Sequence, residues 1–338
     1  MPRKRQAQAC EDSIVAFLKR NFSGTAVSLK MGIGDDAAVF RPRGAQELWV
    51  VTTDLLLENI DFRRGWLTPA QVGHKSLAVN LSDLAAMGAR PRFHTVTLGL
   101  PNDLGRSWMA SFYRGMTLLG DRLGTVLIGG DLSKSPHGLL ISISALGESL
   151  HRRLVYRSGA IPGDLLFVSG TLGPSAAGLR LLEVGKLRGE SNPERLALHA
   201  HRQPEPRCEA GLWLAQSGMV SCMMDLSDGL SSDLPRLCAA SGTGAEIYTE
   251  KLPVLARSTA WGCDPLALAL NGGEDFELLF AVPEKHARSF RAKYPRRFPQ
   301  VTQIGRLLQG SAVVCRPHAG GPSKPLPALG FDHFRPIP

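Results

Sequence analysis

Strands and helices alternate from one end of this chain to the other, and the alternation restricts the possible folds more than any other feature. The β-branched run Trp49–Thr53 predicts a strand that leads directly into Asp54. Thr68–Pro69 then has the form of an N-cap followed by proline in the first turn, so we expect a helix that ends near Gly88. Repeated over the whole chain, this pattern predicts an α/β protein of the α+β type.

Length and a break in the pattern divide the chain into two predicted domains. At roughly 150 residues per domain, 338 residues correspond to two. Over residues 151–163 the pattern gives way to Arg-rich sequence that contains glycine and proline, and it restarts with the predicted strand Leu165–Val168 and a helix from Pro174. We therefore predict domains over residues 1–150 and 151–338.

Several shorter segments carry predictions of their own. Val126–Ile128 is predicted to be a short buried strand, and the alternating Leu139–Ala145 a half-buried one. Ser169–Gly173 joins a strand to a helix, and its backbone amides are as compatible with a phosphate cradle as with a plain tight turn. We interpret His199 and His201 as residues of a surface loop and not as metal ligands.

Composition excludes several classes of protein. Apolar residues make up 43% of the chain and charged residues 20%, which is typical of a globular protein and excludes a disordered or fibrous chain. No apolar run approaches the roughly 18 residues that a membrane span needs, and no secretory signal is apparent. The six cysteines are scattered without a CxxC pair, which predicts reduced thiols in a cytoplasmic protein, without a disulfide framework or zinc site.

The net charge of +9 directs attention to anionic partners. It fits a nucleic-acid-binding protein and equally an enzyme for phosphorylated substrates. No helix-turn-helix, zinc-finger or aromatic-plus-basic pattern accompanies the charge, so we predict no specific nucleic-acid partner. The basic run Arg3–Arg5 is interpreted as a solvated terminus.

Five short segments place a carboxylate after a glycine turn, at a strand end or on a helix face. They are Gly32–Asp36, Thr52–Asp54, Leu81–Asp83, Gly129–Asp131 and Asp225–Gly229. One such acid alone is more often a cap or turn residue. If the five converge, each pair about 5 Å apart repels by roughly 3 kcal/mol at an effective dielectric constant of about 20. The cluster then requires divalent cations, and oxygen ligands without His or Cys favour Mg²⁺.

A phosphate partner explains why such a metal site lies in a basic protein. Mg²⁺ is commonly held by a few carboxylates together with substrate phosphates, whose charge it neutralises during phosphoryl transfer. Arg157 in Tyr156–Gly159 is one candidate partner for a phosphate, although a lone surface arginine is usually solvated.

Eight segments occur in an order that identifies a family. They are GIGDDAAVF, TTDLLLENIDF, KSLAVNLSDLAAMGARP, IGGD, YRSGAIPGD, DLSDGLSSDL, GGEDFELLF and GFDHF. From about residue 30 to residue 334 they resemble the thiamine-monophosphate kinases, and LAVNLSDLAAMGA with GGEDFEL is highly specific. The resemblance implies the PurM-like superfamily of aminoimidazole-ribonucleotide synthetase, with an N-terminal sheet domain that forms a homodimer and a C-terminal α/β domain that completes the active site.

The resemblance also implies an activity and site residues. It implies ATP-dependent conversion of thiamine monophosphate to thiamine diphosphate with several Mg²⁺ ions. The matching metal ligands are Asp36, Thr52, Thr53, Asp54, Asp83, Asp131, Asp225 and Asp228, of which Asp54, Asp131 and Asp228 are expected to be catalytic. The matching ATP contacts are Gly130, Arg157 and Ser227, and the matching acceptor-site positions are Asp61, Glu274 and Phe331. Taken by themselves, Glu274 is equally consistent with a strand cap and Phe331 with a C-terminal core anchor.

Three positions depart from the family pattern. Asp61 stands where relatives commonly have a histidine that contacts substrate, and an ionised carboxylate repels a phosphate unless a metal ion, Arg63 or Arg64 compensates. Leu132 replaces a common threonine after the GGD of the ATP site. Phe331 replaces Tyr or Trp, which keeps the stacking face and removes a polar group.

The mechanism we expect is direct in-line transfer, in which the acceptor's phosphate oxygen attacks the γ-phosphorus of ATP. That oxygen is anionic at neutral pH, so catalysis depends on positioning and charge neutralisation and needs no general base. Three alternatives are considered. They are a superfamily relative with another acceptor (GGEDFEL and GFDHF argue against it), a thiamine phosphate binder without turnover, suggested by Asp61, and a nucleic-acid-binding protein, suggested only by the charge.

Overall fold

The computed structural model describes residues 10–334, so the basic run Arg3–Arg5 lies outside the described residues. The first half of the chain contains α1 (Glu11–Phe22), β1 (Leu29–Met31), β2 (Ala38–Phe40), β3 (Trp49–Leu57), α2 (Pro69–Ala86), β4 (Arg90–Leu100), α3 (Arg106–Leu123), β5 (Val126–Lys134) and β6 (Leu140–Glu148). The second half contains β7 (Leu165–Ser169), α4 (Pro174–Glu183), α5 (Asn192–Arg202), α6 (Cys208–Ser217), β8 (Cys222–Asp225), α7 (Leu230–Ser241), β9 (Gly244–Tyr248), α8 (Pro265–Asn271), β10 (Leu278–Val282), α9 (Glu284–Lys293), β11 (Val301–Leu308), β12 (Val313–Arg316) and β13 (Lys324–Pro325).

Two mixed sheets organise the fold. The first has the strand order β1-β2-β3-β6-β4-β5, in which only the pair β4 and β5 is parallel. The second has the order β13-β12-β9-β11-β7-β10-β8, in which only β12 and β9 are parallel. The architecture is therefore an α/β fold of the α+β type, as predicted.

Helix α2 is the central element, because it packs on the first sheet and also contacts α6 and β8 of the second half. Its start is fixed by a capping box, in which Thr68 and Gln71 each accept a hydrogen bond from the other's backbone amide. Gly73 faces the α3 backbone so closely that a Cβ would lie 2.0 Å from the Phe112 carbonyl oxygen. Gly115 in turn faces the α2 backbone, so only glycines permit this spacing.

The edge strand β5 contradicts one prediction. Val126–Ile128 was expected to be a buried strand, but all of β5 is exposed, with Val126 58% and Ile128 57% accessible. The apolar run is real, but β5 forms the outer edge of its sheet and no described residue covers it. Such an exposed apolar edge is a surface on which another chain can pair.

Other predictions have mixed outcomes. The helix after Thr68 and the half-buried strand after Leu139 are both confirmed as α2 and β6. The surface loop predicted around His199 and His201 is wrong, because both residues lie on α5 and His201 is buried. All six cysteines are unpaired, and no helix within residues 10–334 has the length and apolarity to cross a membrane.

Candidate functional site

Three of the predicted metal ligands converge at the point where the loop before β2, helix α2 and the end of β8 meet. Asp36, Asp83 and Asp225 each offer one carboxylate oxygen, and these oxygens all lie within 4.8 Å of one another. Asp36 and Asp225 are buried, and Asp83 is half-buried. We refer to these three residues as the acid cluster.

Helix α2 holds the surrounding polar groups in place. The Thr52 hydroxyl donates a hydrogen bond to Asp83, and the Ser82 hydroxyl donates to Asp225 over 2.5 Å. One turn earlier, the Asn80 side-chain oxygen accepts from the Asp54 amide at 3.2 Å. One helix thus ties the middle of β3 to the end of β8.

The electrostatics of the acid cluster indicate an excess of negative charge. Burial and the neighbouring Asp36 raise the pKa of Asp225 to about 7. Burial together with Asp54 and Asp225 raises the pKa of Asp83 well above its usual value. Burial and Asp61 raise the pKa of Asp54 to about 6. Each shift means that the charged form is disfavoured in the protein alone.

The donor set fits a hard divalent cation. One carboxylate oxygen of Asp36 and one of Asp54 are buried without a hydrogen-bond partner among residues 10–334. The other Asp36 oxygen accepts from Arg157 at 2.6 Å, and the guanidinium group partly offsets the negative charge of the acid cluster. Carboxylate and hydroxyl oxygens without nitrogen or sulfur ligands are the set that Mg²⁺ prefers.

A cavity of about 510 Å³ opens beside the acid cluster. The cavity lies between α1, the loop before β2 and the middle of β3. Thr53 lines this cavity, but its hydroxyl lies 2.7 Å from the Ser144 hydroxyl and not beside Asp83. The lining also includes Asp36, Thr52 and Arg157. The volume is in the range of cavities that hold small-molecule ligands.

Asp131 and Gly130 lie far from the acid cluster within one chain. Across the first sheet, Asp54 pairs with Ile143, Ile143 with Val96, and Val96 with Gly130. Three strand spacings of about 4.8 Å place β5 roughly 14 Å from β3. Two oxygens on one Mg²⁺ lie at most about 4 Å apart, so the Asp54 and Asp131 carboxylates of one chain do not reach a common ion.

Asp228 is held outside the acid cluster by an ion pair. Its carboxylate accepts from Arg236, which also pairs with Asp233 at 3.0 Å and with Asp12 of α1 at 3.0 Å. Arg236 was not predicted as a site residue. The only sequence signal for it is its position eight residues after Asp228 on the following helix.

The loop between β8 and α7 brings together two of the three predicted acceptor-site residues, Glu274 and Phe331. The Glu274 amide donates to the Ser227 carbonyl at 2.7 Å, and the Phe331 amide donates to the Asp228 carbonyl at 2.9 Å. Phe331 is 40% exposed, so it is not the buried C-terminal anchor that was one of its two readings. Ser227, the predicted ATP contact, therefore lies between the acid cluster and the residues that match acceptor contacts.

The acids of GGEDFEL have distinct partners. Glu274 accepts from the ammonium group of Lys75 at 2.7 and 2.9 Å. Asp275 accepts from the Gly173 and Ser175 amides at 2.6 and 3.2 Å, and this corrects the phosphate-cradle reading of Ser169–Gly173. The Asp275 carboxylate therefore already takes up two of the amides at the N-terminus of α4 that a phosphate cradle would use.

Asp61 turns back towards its own loop. Its carboxylate accepts from the Leu57 amide at 2.7 Å, and its charge contributes to the raised pKa of Asp54. Arg64 pairs with Glu58 at 2.6 Å and Arg63 lies over the Trp66 ring, so neither arginine compensates Asp61.

Comparisons with known proteins agree on one family. The model of AIR synthase related protein matches its N-terminal domain to residues 34–149 and its C-terminal domain to residues 162–316. The thiamine-monophosphate kinase of Bacillus subtilis (strain 168) is 33% identical over 315 residues, which cover 91% of this chain and 94% of that protein. That of Synechococcus elongatus is 41% identical over 293 residues, covering 84% and 86%. The solved structure of AaThiL complexed with AMPPCP and TMP has a TM-score of 0.82 at 33% identity, and covers 96% of this chain and 97% of its own.

Proposed function

Because this chain belongs to the thiamine-monophosphate kinase family, we propose that it transfers the γ-phosphoryl group of ATP to thiamine monophosphate, forming thiamine diphosphate. The observation that carries this proposal is the acid cluster beside the 510 Å³ cavity. Carboxylates that lie within 4.8 Å of one another repel, a bound divalent cation offsets that repulsion, and phosphoryl transfer is a reaction for which such cations are held. The related AaThiL, which is complexed with AMPPCP and TMP, supports the choice of both substrates.

Asp36, Asp83 and Asp225, with Asp54 and the Thr52 hydroxyl beside them, are the residues proposed to hold Mg²⁺. When bound, Mg²⁺ supplies neutralising charge for the phosphates of ATP and for the transition state. These side chains preorganise the ligand oxygens, because Ser82 fixes Asp225 and Thr52 fixes Asp83 before any ion enters. Arg157 bridges the acid cluster and the cavity, where its guanidinium can pair with an ATP phosphate.

The acceptor is proposed to lie along the loop that carries Ser227 and Asp228. Phe331 presents an exposed ring for stacking on a thiamine ring, and Glu274 presents carboxylate oxygens at the same loop. The acceptor's phosphate then points towards the acid cluster, where its anionic oxygen attacks the γ-phosphorus in line with the leaving ADP. No side chain has to remove a proton from that oxygen, so the chain contributes positioning and charge compensation.

A homodimer completes the site in this proposal. The exposed apolar edge of β5 favours pairing with a second copy, and the roughly 14 Å between β3 and β5 favours delivery of Asp131 to a partner's site. The test is complementation between two inactive variants, Asp54→Asn and Asp131→Asn. After co-refolding, we expect about a quarter of the wild-type activity, since half of the randomly paired dimers are mixed and each has one intact site. If the refolded dimers have the correct size but no activity, Asp131 is not part of a site shared between the two chains.

The function itself is tested by a coupled assay for ADP release. Purified protein is incubated with ATP, Mg²⁺ and, in separate reactions, thiamine monophosphate, thiamine and other phosphorylated acceptors. We expect turnover with thiamine monophosphate, formation of thiamine diphosphate in equal amount to ADP, and loss of both in Asp83→Asn. Turnover with a different phosphorylated acceptor alone indicates another member of the superfamily. Saturable thiamine monophosphate binding without ADP release indicates a binder.

A further inference from the structure

We propose that Lys75 is a positioning residue for acceptor recognition, which holds the Glu274 carboxylate as one half of a neutral ion pair. The inference rests on the proposed function, because it takes Glu274 as an acceptor contact. Lys75 lies on α2 as the first residue of the segment KSLAVNLSDLAAMGARP, but this lysine was assigned no role of its own from the sequence. It acts through Glu274 and does not itself reach the acceptor.

The contacts of Lys75 use its whole hydrogen-bonding capacity. Its ammonium donates to the two Glu274 carboxylate oxygens at 2.7 and 2.9 Å and to the His201 carbonyl oxygen at 3.3 Å. An ammonium group has three protons, so these three acceptors satisfy it completely. The side chain is fully buried, whereas the Glu274 side chain is 30% exposed. The pair therefore has one closed end, at Lys75, and one end that is open to a ligand.

Among residues 10–334, Lys75 is the lysine or arginine that forms an ion pair with Glu274. The His201 ring nitrogen Nδ1 lies 3.3 Å from a Glu274 oxygen, but burial and the adjacent Lys75 hold the pKa of that imidazole well below its usual value. Burial therefore favours the neutral form of the ring over the imidazolium. An unpaired buried ammonium is strongly disfavoured, so the position of Lys75 requires the Glu274 carboxylate to stay beside it.

The backbone restrains Glu274 independently. Its φ angle is 64°, in the left-handed region that a non-glycine residue seldom adopts, and its amide donates to the Ser227 carbonyl at 2.7 Å. Strained residues of this kind persist where surrounding contacts fix them, and they are common at ligand sites. Ser227 holds the Glu274 backbone and Lys75 holds its carboxylate. The lone pairs of the carboxylate that do not face Lys75 therefore keep a fixed orientation towards the exposed side.

This arrangement has a consequence for specificity. A free carboxylate attracts any cation, whereas a carboxylate neutralised by Lys75 offers mainly directed hydrogen-bond acceptance. We infer that Glu274 selects an acceptor by a correctly placed N–H donor, such as an amino group on a heteroaromatic ring, more than by its positive charge. An acceptor that keeps the cationic ring and lacks the amino group is then a poor substrate.

The test is a double-variant cycle on the acceptor KM. Lys75→Met and Glu274→Gln are each expected to raise the KM for thiamine monophosphate at least tenfold, with the KM for ATP changed less than twofold. The double variant is expected to match Glu274→Gln alone, because Lys75 has nothing to position once the carboxylate is gone. Glu274→Gln alone leaves the fully buried Lys75 ammonium without a counter-charge. Because the double variant leaves neither charge unpaired, its KM for thiamine monophosphate remains informative if that single variant does not fold.

The matched control is Lys186→Met, which breaks another lysine–glutamate pair, with Glu194 at 2.8 Å, in which the glutamate is buried and the lysine side chain is 43% exposed. It should leave both KM values unchanged. If the effects of Lys75→Met and Glu274→Gln multiply in the double variant, or if the ATP KM rises equally, Lys75 is a structural residue and the proposal is overturned. Failure of the proposed function is distinct, since the wild type would then show no turnover with thiamine monophosphate.

Discussion

The acid cluster predicts that the metal-free protein loses stability as the pH rises from about 4 to about 7, and that Asp225→Asn removes much of this loss. Burial and Asp36 raise the pKa of Asp225 to about 7 from its usual 3.8. The folded protein thus keeps a proton that the unfolded chain has already released in this pH range. The stability linked to that proton is fully present below about pH 4 and is lost as the pH passes through 7. Asp54, whose pKa is raised to about 6, acts in the same direction.

The magnitude follows from the same structure. A shift from 3.8 to about 7 corresponds to about 4 kcal/mol, at about 1.4 kcal/mol per pH unit. Carboxylate oxygens within 4.8 Å of one another repel by at least about 3.5 kcal/mol at an effective dielectric constant of about 20, so repulsion is of the same order as the shift, to which burial contributes most. The new amide oxygen still accepts from Ser82 and the charge is gone. We therefore expect Asp225→Asn to raise the free energy of unfolding by about 2–4 kcal/mol at pH 8 without metal.

The assay is urea denaturation at pH 5 and pH 8, with EDTA or with Mg²⁺. In EDTA the wild type should be less stable at pH 8 than at pH 5, and Mg²⁺ should restore the stability that is lost at pH 8. In Asp225→Asn both the pH effect and the Mg²⁺ effect should shrink, whereas Asp121→Asn on the exposed face of α3 should behave as the wild type does. Wild-type curves in EDTA that coincide at the two pH values would refute the repulsion on which the metal site is argued.

Three further predictions concern other parts of the molecule. Phe331→Ala should raise the KM for thiamine monophosphate by roughly 2- to 13-fold, the equivalent of about 0.5–1.5 kcal/mol of stacking, and leave the KM for ATP unchanged. An equal rise in both KM values would show that Phe331 does not stack on the acceptor. Asp61→Asn keeps an acceptor for the Leu57 amide and removes the charge, so calorimetry with a non-hydrolysable ATP analogue and Mg²⁺ should show tighter thiamine monophosphate binding by about 1–3 kcal/mol. Equal affinities would place Asp61 outside the acceptor site. Gly115→Ala should lower the free energy of unfolding by about 1–3 kcal/mol, because the new Cβ meets the Ala70 carbonyl oxygen at 1.9 Å, whereas Gly105→Ala, which has open space, should not.

The convergence of acids was predictable because each acid follows a turn or strand end, where side chains from different elements meet. Asp36, Asp83 and Asp225 fulfil that expectation. The exposure of β5 was not predictable, because an apolar run has the same appearance in a central strand and in an edge strand of a sheet. The strand order, which the local sequence does not encode, decides between the two.

Residues that act through burial were the ones that sequence reasoning missed. Lys75 is a lysine on a helix, which is ordinarily solvated, and only the packing of α2 between two sheets closes it off. His201 was assigned to a loop for the same reason, since polar residues predict exposure. Asp275 shows a third limit. The sequence indicates a helix N-terminus at Pro174 but does not specify whether a phosphate or the chain's own carboxylate occupies it.

Helix α2 also sets a length scale. Lys75 and Asp83 are eight residues apart on one continuous helix, and at 1.5 Å per residue they lie about 12 Å apart along its axis. The residue that positions the proposed acceptor contact, Lys75, and the residue proposed to hold Mg²⁺ for phosphoryl transfer, Asp83, are therefore fixed at a constant distance by one rigid helix. A hinge motion between the two sheets does not change the distance between Lys75 and Asp83, because both lie on this helix. The site then selects acceptors by length as well as by ring chemistry. An acceptor whose ring and phosphate are joined by a shorter or longer linker cannot contact Glu274 and place its phosphate at the acid cluster at the same time.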